Sequence, residues 1–349
     1  MLSSRTVAVL VALAVLTACN SPPKPVADPA IQRRATGLLA QARFQAPGGW
    51  HWGYMLNADG ARLRYGWVDP PGKAQGVVVF NPSYASTIEQ YFETARQLVE
   101  AGFAIWIIDR RGQGGSDRWP GAGLRAHLEG IPREVRDLRQ FSVLAANHET
   151  ARPMFLVGES LGGVIGLNLL HDDPTRFEAA AFSSPGVNFL TGGTPRWLVR
   201  PITGSACALG MKTAYAPGQH DWAFNPLAGG PSDPAKDDPE RALAAQAFTQ
   251  LHPSESESGP TNGFVCSLFE EADVELRQGW GGEIKTPFLI GFTPIDRIAD
   301  PDAIRAFCAA AKACRLEQFD GARHALFSDS DQTRAKWMDT LIAFLKAPR

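Results

Sequence analysis

The chain has 349 residues, of which 44% are hydrophobic and 20% are charged, and its 34 Lys and Arg residues nearly balance its 36 Asp and Glu residues. This composition is typical of a globular protein with ample apolar material for a core, either in one large domain with an insertion or in two domains. Because neither sign of charge forms a long run, the sequence excludes the basic surface that a nucleic-acid-binding protein needs. We therefore expect no nucleic-acid partner.

The N-terminus predicts an export signal rather than part of the fold. Arg5 is followed by an apolar run over residues 6–16 that is too short to span a bilayer stably. Residues 16–19 read Leu-Thr-Ala-Cys and resemble the lipobox of bacterial lipoproteins, in which Cys19 would be the lipidated N-terminus. We predict a signal peptide over residues 1–18 and a proline-rich, lipidated tether over residues 19–30. A plain signal peptide cleaved near Ala18 is the alternative.

A lipid on Cys19 would anchor the protein to a membrane of the cell envelope. In bacterial lipoproteins an Asp after the lipidated cysteine retains the protein in the inner membrane, and this chain has Asn20 at that position. The resemblance therefore favours the outer membrane.

Strand and helix patterns alternate through most of the chain. Alternating apolar residues over 61–68 predict antiparallel strands within residues 30–72. Continuous apolar runs typical of buried parallel strands follow at 76–80, 103–108, 155–157, 179–185 and 286–292, with a further strand at 315–319. Helical patterns lie at 89–100, 131–148, 301–313 and 331–346. The pattern predicts an α/β fold with a mostly parallel central sheet, helices on both faces and core segments at 31–185 and 283–349.

Residues 186–282 interrupt this alternation. They are rich in proline and glycine, with helical stretches near 238–251 and 264–277. We predict that they form an inserted, mainly helical cap.

Four cysteines remain after Cys19, namely Cys207, Cys266, Cys308 and Cys314. An even count in an exported chain favours two disulfides, and three pairings are possible. Proximity in the chain favours Cys308 with Cys314 and Cys207 with Cys266. Four buried free thiols are the alternative, because cysteine packs well as a small apolar residue.

The residues from 155 to 166 predict a nucleophile elbow centred on Ser160. An apolar strand is followed at once by Gly-Glu-Ser-Leu-Gly and then by a helical run. This strand, turn and helix context distinguishes an elbow from a serine in an ordinary glycine-rich turn. Gly158 and Gly162 fit because any side chain there would obstruct the tight turn.

A serine nucleophile needs a histidine base that is held in turn by an acid. Only His324 lies in a loop after a late strand, in the chain order of serine, acid and histidine. Asp296 directly follows the penultimate strand and is the favoured acid. Its rivals are Asp300 and Asp302, which we expect to cap the helix that begins at Pro301, and Asp320, close to the histidine in sequence.

Four segments together carry a resemblance to a known family. They are residues 109–116 (Asp-Arg-Arg-Gly-Gln-Gly-Gly-Ser), 158–163, 296–298 and 321–324, and they occur in family order. From about residue 74 to 346 the chain resembles the α/β-hydrolase fold and, within it, the lysophospholipase and monoglyceride lipase group, which is serine aminopeptidase-like. The resemblance implies Ser160 as nucleophile, Asp296 as orienting acid and His324 as base.

The same resemblance implies an oxyanion hole made by the N–H of Leu161 and a second N–H from the loop after the first conserved strand. The family usually has His-Gly in that loop, whereas this chain has Asn81-Pro82, and proline has no N–H to donate. Alignment on the strand end predicts Ser83 as the second donor, with Tyr84 one residue away. For the arginine pair 110–111 we expect a structural role or plain solvated charge.

The expected function is a serine carboxylic-ester hydrolase that acts on single-chain acyl lipids, such as lysophospholipids or monoacylglycerols, without a metal or organic cofactor. One alternative is a peptidase of the same fold, with acidic cap residues that hold a substrate amine. Another is a catalytically idle envelope lipoprotein that only binds. Ten apolar cap residues could line an acyl tunnel above Ser160: Phe189, Leu190, Trp197, Leu198, Val199, Trp222, Phe224, Phe248, Phe264 and Leu268. The alternative, favoured for any one of them taken singly, is that they pack the cap onto the core. The acidic cap residues that could hold a substrate amine in a peptidase are Glu255, Glu257, Glu270, Glu271 and Asp273.

Overall fold

The computed structural model describes residues 28–148, 152–230, 233–235 and 238–348. The predicted signal peptide, Cys19 and most of the predicted tether lie outside the described residues. Among the helices that are described, none is both long and apolar enough to cross a bilayer.

An eight-stranded sheet forms the centre of the molecule. Its strands are β1 (His51–Leu56), β2 (Arg62–Val68), β3 (Gly76–Asn81), β4 (Phe103–Ile108), β6 (Met154–Glu159), β7 (Ala179–Ser183), β9 (Phe288–Phe292) and β10 (Cys314–Gln318). They are arranged in the order β1-β2-β4-β3-β6-β7-β9-β10. The six strands from β4 to β10 in this order are parallel, and β2 pairs antiparallel with both β1 and β4. The predicted mostly parallel sheet is confirmed.

Helices cover both faces of the sheet. They are α2 (Phe92–Glu100), α3 (Ile131–His148), α4 (Leu161–Asp172), α9 (Pro301–Ala310) and α10 (Asp331–Lys346). Along β3, Val77 and Val79 belong to the core under α3, α4 and α9, whereas Val78 and Phe80 belong to the core under α2 and α10. A strand buried on both faces needs apolar side chains at every position, which explains the continuous run in the sequence.

The chain enters the fold through a helix that the sequence did not predict. We expected an extended tether up to residue 30 and strands beyond it, but Pro29–Leu38 form helix α1. The Asp28 side chain accepts a hydrogen bond from the Ala30 N–H, and a proline occupies the first turn, where its missing N–H costs nothing. Ala35 and Leu38 are buried against the cap, so tertiary packing stabilises a helix whose sequence alone gives a weak signal.

Residues 186–282 leave the sheet between β7 and β9, and most of their regular secondary structure is helical. Their helices are α5 (Arg196–Ala208), α6 (Pro239–Leu251), α7 (Asn262–Glu275) and the short α8 (Trp280–Glu283). A short strand, β8 (Ser258–Pro260), pairs with β5 (Arg125–Ala126) in a separate two-stranded sheet. Helix α5 was not predicted because it contains Pro201 and is flanked by glycine-rich segments.

A buried arginine ties the cap to the core. Arg241 of α6 donates to both carboxylate oxygens of Glu93 on α2, at 2.8 Å each, and to the Asp331 carboxylate at the start of α10, at 2.6 Å. It also donates to the Asp329 carbonyl at 3.0 Å. One side chain therefore joins three helices, and the planar guanidinium is suited to this because its donors are fixed in a fork.

Two disulfides join the four cysteines in the pairing favoured by the sequence. Cys207 on α5 is bonded to Cys266 on α7 over a sequence separation of 59, and Cys308 is bonded to Cys314 over a separation of 6. Cys207–Cys266 joins two cap helices, whereas Cys308–Cys314 closes the turn between α9 and β10.

Removing the longer disulfide should cost more stability than removing the shorter one. On the chain-entropy model the Cys207–Cys266 loop is worth about 4 kcal/mol and the Cys308–Cys314 loop about 2 kcal/mol. We expect this order when the paired Cys→Ala variants are compared by urea unfolding of oxidised protein. Equal losses would contradict a dominant effect of loop length.

A buried acidic pair joins the cap to the helix that follows the nucleophile. Glu275 of α7 accepts a hydrogen bond from the Asn168 side chain of α4 at 2.9 Å, and it is only 2% exposed. Burial, followed by repulsion from Glu271, raises the pKa of the Glu275 carboxyl well above its usual range. A raised folded-state pKa means that this group stabilises the fold at low pH and that the contribution is lost as pH rises through the folded-state pKa.

The isosteric Glu275→Gln variant should therefore be more stable than the wild type at neutral pH. Its amide oxygen still accepts from Asn168, while no charge has to be buried. We expect the Tm at pH 7.5 to rise by about 2–4 °C, and the gain to vanish below about pH 4, where Glu275 is protonated in both states. A gain that persisted unchanged at low pH would show that charge burial is not its cause.

Candidate active site

Ser160 stands at a strained turn between β6 and α4. Its backbone has φ 51° and ψ −115°, a region that non-glycine residues rarely occupy, and its N–H donates to the Ser183 carbonyl at 2.8 Å. A Cβ on Gly162 would lie 2.1 Å from the Asn81 carbonyl oxygen, and one on Gly158 would lie 2.7 Å from the Gly162 carbonyl oxygen. The two glycines are therefore required by close backbone packing around the elbow.

The structure brings Ser160, His324 and Asp296 together in one hydrogen-bonded chain. His324 Nε2 lies 2.7 Å from Ser160 Oγ, and His324 Nδ1 lies 2.8 Å from Asp296 Oδ2. All three side chains are buried, and Ser160 is 8% exposed. Asp296 Oδ1 accepts from the N–H groups of Ile298 and Ala299, at 2.8 and 3.0 Å. The carboxylate is thereby fixed, with its other oxygen directed at the histidine.

The rival acids have other partners. Asp300 accepts from the N–H groups of Asp302 and Ala303 and so caps α9, as the sequence predicted. Asp302 pairs with Arg305 within the same helix and does not act as the cap. Asp320 accepts from the Gln318 side chain at 2.7 Å. Asp296 is thus the acid that the structure places beside the histidine.

The predicted oxyanion donors differ in whether their N–H groups are free. The Leu161 N–H opens helix α4 and has no hydrogen-bond partner among the described residues, as is usual for a first helical turn. The Ser83 N–H, in contrast, donates to the Tyr91 hydroxyl at 3.1 Å. The neighbouring Tyr84 N–H has no partner in the described part of the chain. The Ser83 N–H would therefore have to leave the Tyr91 hydroxyl before it could donate to a substrate.

Side chains from the segment 109–116 hold this loop, which we call the oxyanion loop (residues 82–86). Arg110 donates to the carbonyls of Pro82 and Ser83, each at 3.3 Å, and Gln113 donates to the carbonyl of Ser83 at 3.0 Å. Arg110 is buried and lies 3.5 Å from the Glu134 carboxylate. Its role is structural, as expected, but it is not solvated charge. The segment 109–116, which is part of the family resemblance, was the sequence signal that could have revealed that Arg110 holds the oxyanion loop.

The cap contacts both sides of the site. Arg323, next to His324, donates to the carbonyls of Gly230 and Asp233, and the Ala325 N–H donates to the Ala235 carbonyl at 2.8 Å. On the other side, the ring of Phe264 on α7 packs 5.2 Å from the ring of Tyr84. The insertion therefore covers the histidine loop and the oxyanion loop together.

The ten apolar cap residues have different surroundings in the structure. Trp197 is 76% exposed, Phe224 packs with the cluster around α1, and Phe189 packs on Phe269 with ring centroids 4.8 Å apart. Phe264 and Trp222 lie beside the oxyanion loop, Phe264 through Tyr84 and Trp222 as part of a cavity wall. Trp197, Phe224 and Phe189 therefore pack the cap or face solvent, which is the alternative favoured for each residue taken singly, and an acyl tunnel above Ser160 stays a prediction.

A cavity of about 300 Å³ adjoins the oxyanion loop. Residues 84–87 of the core and residues 219–223 and 255–259 of the cap supply most of its wall, and Ser160 is not among the lining residues. Glu257 stands in this wall and accepts from the Ala85 N–H at 2.8 Å. Burial raises the pKa of the Glu257 carboxyl to about 7, against the opposing effect of Arg110. The wall therefore offers hydroxyl, amide and weakly acidic groups.

A family model described as serine aminopeptidase, S33, matches residues 72–331, which is most of the chain. The chain belongs to this family. Among curated proteins it is similar to a monoacylglycerol lipase of Mycolicibacterium smegmatis, with 26% identity over 278 residues that cover 78% of this chain and 89% of that protein. It is also similar to lysophospholipase L2 of Escherichia coli, with 25% identity over 77% of this chain and 79% of that one. The protein is a hydrolase.

Solved structures agree on the fold. A soluble variant of the monoglyceride lipase of Saccharomyces cerevisiae matches 93% of this chain and 98% of its own, with a TM-score of 0.67 and 16% identity. A monoacylglycerol lipase from Paleococcus ferrophilus matches 81% of this chain and 98% of its own, with a TM-score of 0.62 and 17% identity. The α/β-hydrolase fold expected from the sequence is confirmed.

Proposed function

We propose that the protein is a serine carboxylic-ester hydrolase in which Ser160 is the nucleophile, His324 the general base and Asp296 the acid that orients the histidine. The observation that carries this proposal is the hydrogen-bonded chain from Ser160 Oγ through His324 to Asp296. A serine hydroxyl is a weak nucleophile until a base takes its proton, and an imidazole with a buried carboxylate behind it supplies that base.

The reaction follows from this geometry. Ser160 Oγ attacks the acyl carbon while its proton passes to His324 Nε2, and the resulting imidazolium is stabilised by Asp296. Nε2 then protonates the leaving alcohol, which departs and leaves an acyl-serine. Water, deprotonated by the same nitrogen, attacks the acyl carbon and releases the carboxylic acid. The negative charge on the tetrahedral oxygen requires donors, which the Leu161 N–H and the oxyanion loop would supply.

For the substrate we propose single-chain acyl lipids, of the monoacylglycerol or lysophospholipid type. The two curated relatives are named for these activities and are similar to more than three quarters of this chain. The polar cavity beside the oxyanion loop suits the alcohol part of such an ester. Single-chain lipids also leave a bilayer more readily than two-chain lipids, because each buried CH₂ adds about 0.8 kcal/mol to the cost of extraction.

A peptidase is the second candidate, and the family description together with Glu257 favours it. The acidic cap residues named for this role are mostly engaged elsewhere: Glu255 pairs with Arg64, Asp273 pairs with Arg200, and Glu271 lies beside Glu275. Glu255 and Glu257 both line the cavity, but Glu255 is already paired with Arg64. With a pKa of about 7, Glu257 is partly protonated at neutral pH, which makes it a weaker anchor for a substrate ammonium than an ionised acid.

For the location we propose anchoring in the cell envelope, with the outer membrane favoured, through a lipid on Cys19. Helix α1, with which the described chain begins, packs on cap helix α6. A tether attached there would hold the cap side towards the membrane. Two acyl chains bind a membrane stably, whereas one is marginal. Mass spectrometry of the N-terminal peptide tests this, and an unlipidated N-terminus would refute it.

Labelling with a fluorophosphonate probe, followed by kinetics on a matched substrate panel, tests the function. We expect the wild type to be labelled and the Ser160→Ala variant to be unlabelled, whereas an idle binding protein would not react. The panel compares kcat/KM for a one-chain ester, a two-chain ester and an aminoacyl amide of equal acyl composition. We expect the one-chain ester to be cleaved fastest. A clear preference for the aminoacyl compound would move the assignment to the peptidase.

A further inference from the structure

A buried hydrogen-bond chain connects the residue before the nucleophile to the oxyanion loop. The Tyr91 hydroxyl donates to Glu159 Oε2 at 2.7 Å and accepts from the Ser83 N–H at 3.1 Å. Tyr91 and Glu159 are each 2% exposed. Glu159 is the last residue of β6, so this chain links the two backbone segments that flank the proposed site for the tetrahedral oxygen.

The direction of these hydrogen bonds is fixed by the chemistry of the groups. Burial, and next the charge of Glu159, raise the pKa of the Tyr91 hydroxyl well above its usual range, so Tyr91 keeps its proton. Its one hydrogen goes to the carboxylate, and its oxygen is left to accept from the Ser83 N–H. A donor to a carboxylate is polarised, which strengthens the bond that its oxygen accepts.

The backbone N–H groups of residues 82–85 are accounted for, with one exception. Pro82 has no N–H, the Ser83 N–H is held by Tyr91, and the Ala85 N–H donates to Glu257. The carbonyl of Ser83 accepts from Arg110 and Gln113. Among the backbone donors of residues 82–85, this leaves the Tyr84 N–H without a partner in the described structure.

We propose that Tyr91 is a positioning residue, which with Glu159 holds the Ser83 N–H away from the acyl oxygen and so presents the Tyr84 N–H, beside that of Leu161, as the second oxyanion donor. This inference rests on the proposed function. Where the family usually has His-Gly, this chain has Asn81-Pro82. In this chain the loop is held by the buried side chain of Tyr91. Tyr91 touches neither substrate nor reacting atoms, and its effect passes through the backbone of the loop.

The Tyr91→Phe variant tests this role because it removes only the hydroxyl. The ring keeps its packing on Phe80, at 4.6 Å between centroids, and on Phe327, at 6.3 Å. We expect kcat to fall by about 10- to 100-fold with KM changed less than about threefold, since a displaced donor weakens binding of the transition state rather than of the substrate. Tyr54→Phe, which alters an exposed tyrosine on β1, serves as the control.

Two further variants separate positioning from packing. Glu159→Gln keeps an oxygen that accepts from Tyr91, so it should lose less kcat than Glu159→Leu, whose loss should match that of Tyr91→Phe. The Tyr91→Phe/Glu159→Leu double variant should then be no worse than either single variant, because both break one chain. Losses that simply add would overturn the proposal, as would a loss confined to KM.

A backbone ester at residue 84, introduced as the α-hydroxy analogue of tyrosine, removes the Tyr84 N–H itself. We expect a fall in kcat of about 100-fold. If Tyr91 instead competes with the acyl oxygen for the Ser83 N–H, Tyr91→Phe will have an unchanged or higher kcat, and the inference is wrong. That result is distinct from failure of the proposed function, in which the wild type itself would neither turn over esters nor react with the fluorophosphonate.

Discussion

Replacing Ser160 with alanine is expected to lower ester hydrolysis by about four to six orders of magnitude, because its hydroxyl is the one that contacts His324 Nε2 among the described residues. Ser160 Oγ is 2.7 Å from His324 Nε2, and alanine removes the atom that would form the acyl bond. His324→Ala should have a loss of the same order, and the double variant should be little worse than either. Members of a triad act as a unit, so their losses do not add.

Ser184→Ala is the matched control for this experiment. Ser184 is also a buried serine at positive φ, 41°, directly after a parallel strand, and its Oγ has no hydrogen-bond partner among the described residues. Unlike that of Ser160, its Oγ has no hydrogen bond to a histidine in the described structure. We expect its kcat to stay within about twofold of the wild type, a change that corresponds to less than about 0.5 kcal/mol. Full turnover in Ser160→Ala would refute the proposed nucleophile.

The parts of the fold that could be predicted are those fixed by local pattern and chain order. The run Val77–Phe80 has no polar position because both faces of β3 are covered by helices. Ser160 could be located because an elbow requires a strand, a turn with two glycines and a helix in succession. His324 and Asp296 followed from the order of elements, since the carboxyl ends of parallel strands meet at one edge of the sheet.

The parts that could not be predicted depend on contacts between distant segments. Helix α1 exists because Ala35 and Leu38 pack on Leu243 and Ala247 of α6, more than 200 residues away, and no local signal shows this. Helix α5 contains Pro201, which sequence patterns count against a helix. The acyl-tunnel residues could not be identified from the sequence for a related reason, because an apolar side chain in a cap is equally suited to packing and to lining a tunnel.

The choice between Ser83 and Tyr84 shows the limit most clearly. Alignment on a strand end has an uncertainty of one residue, and consecutive N–H groups in a turn point in different directions. Only the contact between the Ser83 N–H and the Tyr91 hydroxyl distinguishes the two positions, and nothing in the sequence around Tyr91 announces it. Side-chain hydrogen bonds to loop backbone are set by tertiary structure rather than by local pattern.

Asp296→Asn is expected to lower kcat for ester hydrolysis by about 10⁴-fold. The loss should be large even though asparagine has nearly the same shape as aspartate. Asp296 Oδ1 accepts from the N–H groups of Ile298 and Ala299, and only an oxygen can replace it there. The amide oxygen of asparagine must therefore take that position, which turns its NH₂ group towards His324 Nδ1. Nδ1 then has to accept, so the ring proton moves to Nε2, and Nε2 can no longer take the proton of Ser160.

Asp300→Asn is the matched control for this argument. Asp300 is also an aspartate that accepts from two backbone N–H groups, those of Asp302 and Ala303, but it does not face the histidine. The same change of side chain should leave kcat within about twofold of the wild type. Asp296→Asn should keep a Tm within about 3 °C of the wild type, because it retains its backbone hydrogen bonds. Asp300→Asn retains its backbone hydrogen bonds but loses the one that Oδ2 accepts from the Asn188 side chain, so its Tm should fall further. If Asp296→Asn hydrolysed esters at nearly the wild-type rate, the histidine would have to be oriented by another acid, and Asp320 would be the next residue to replace.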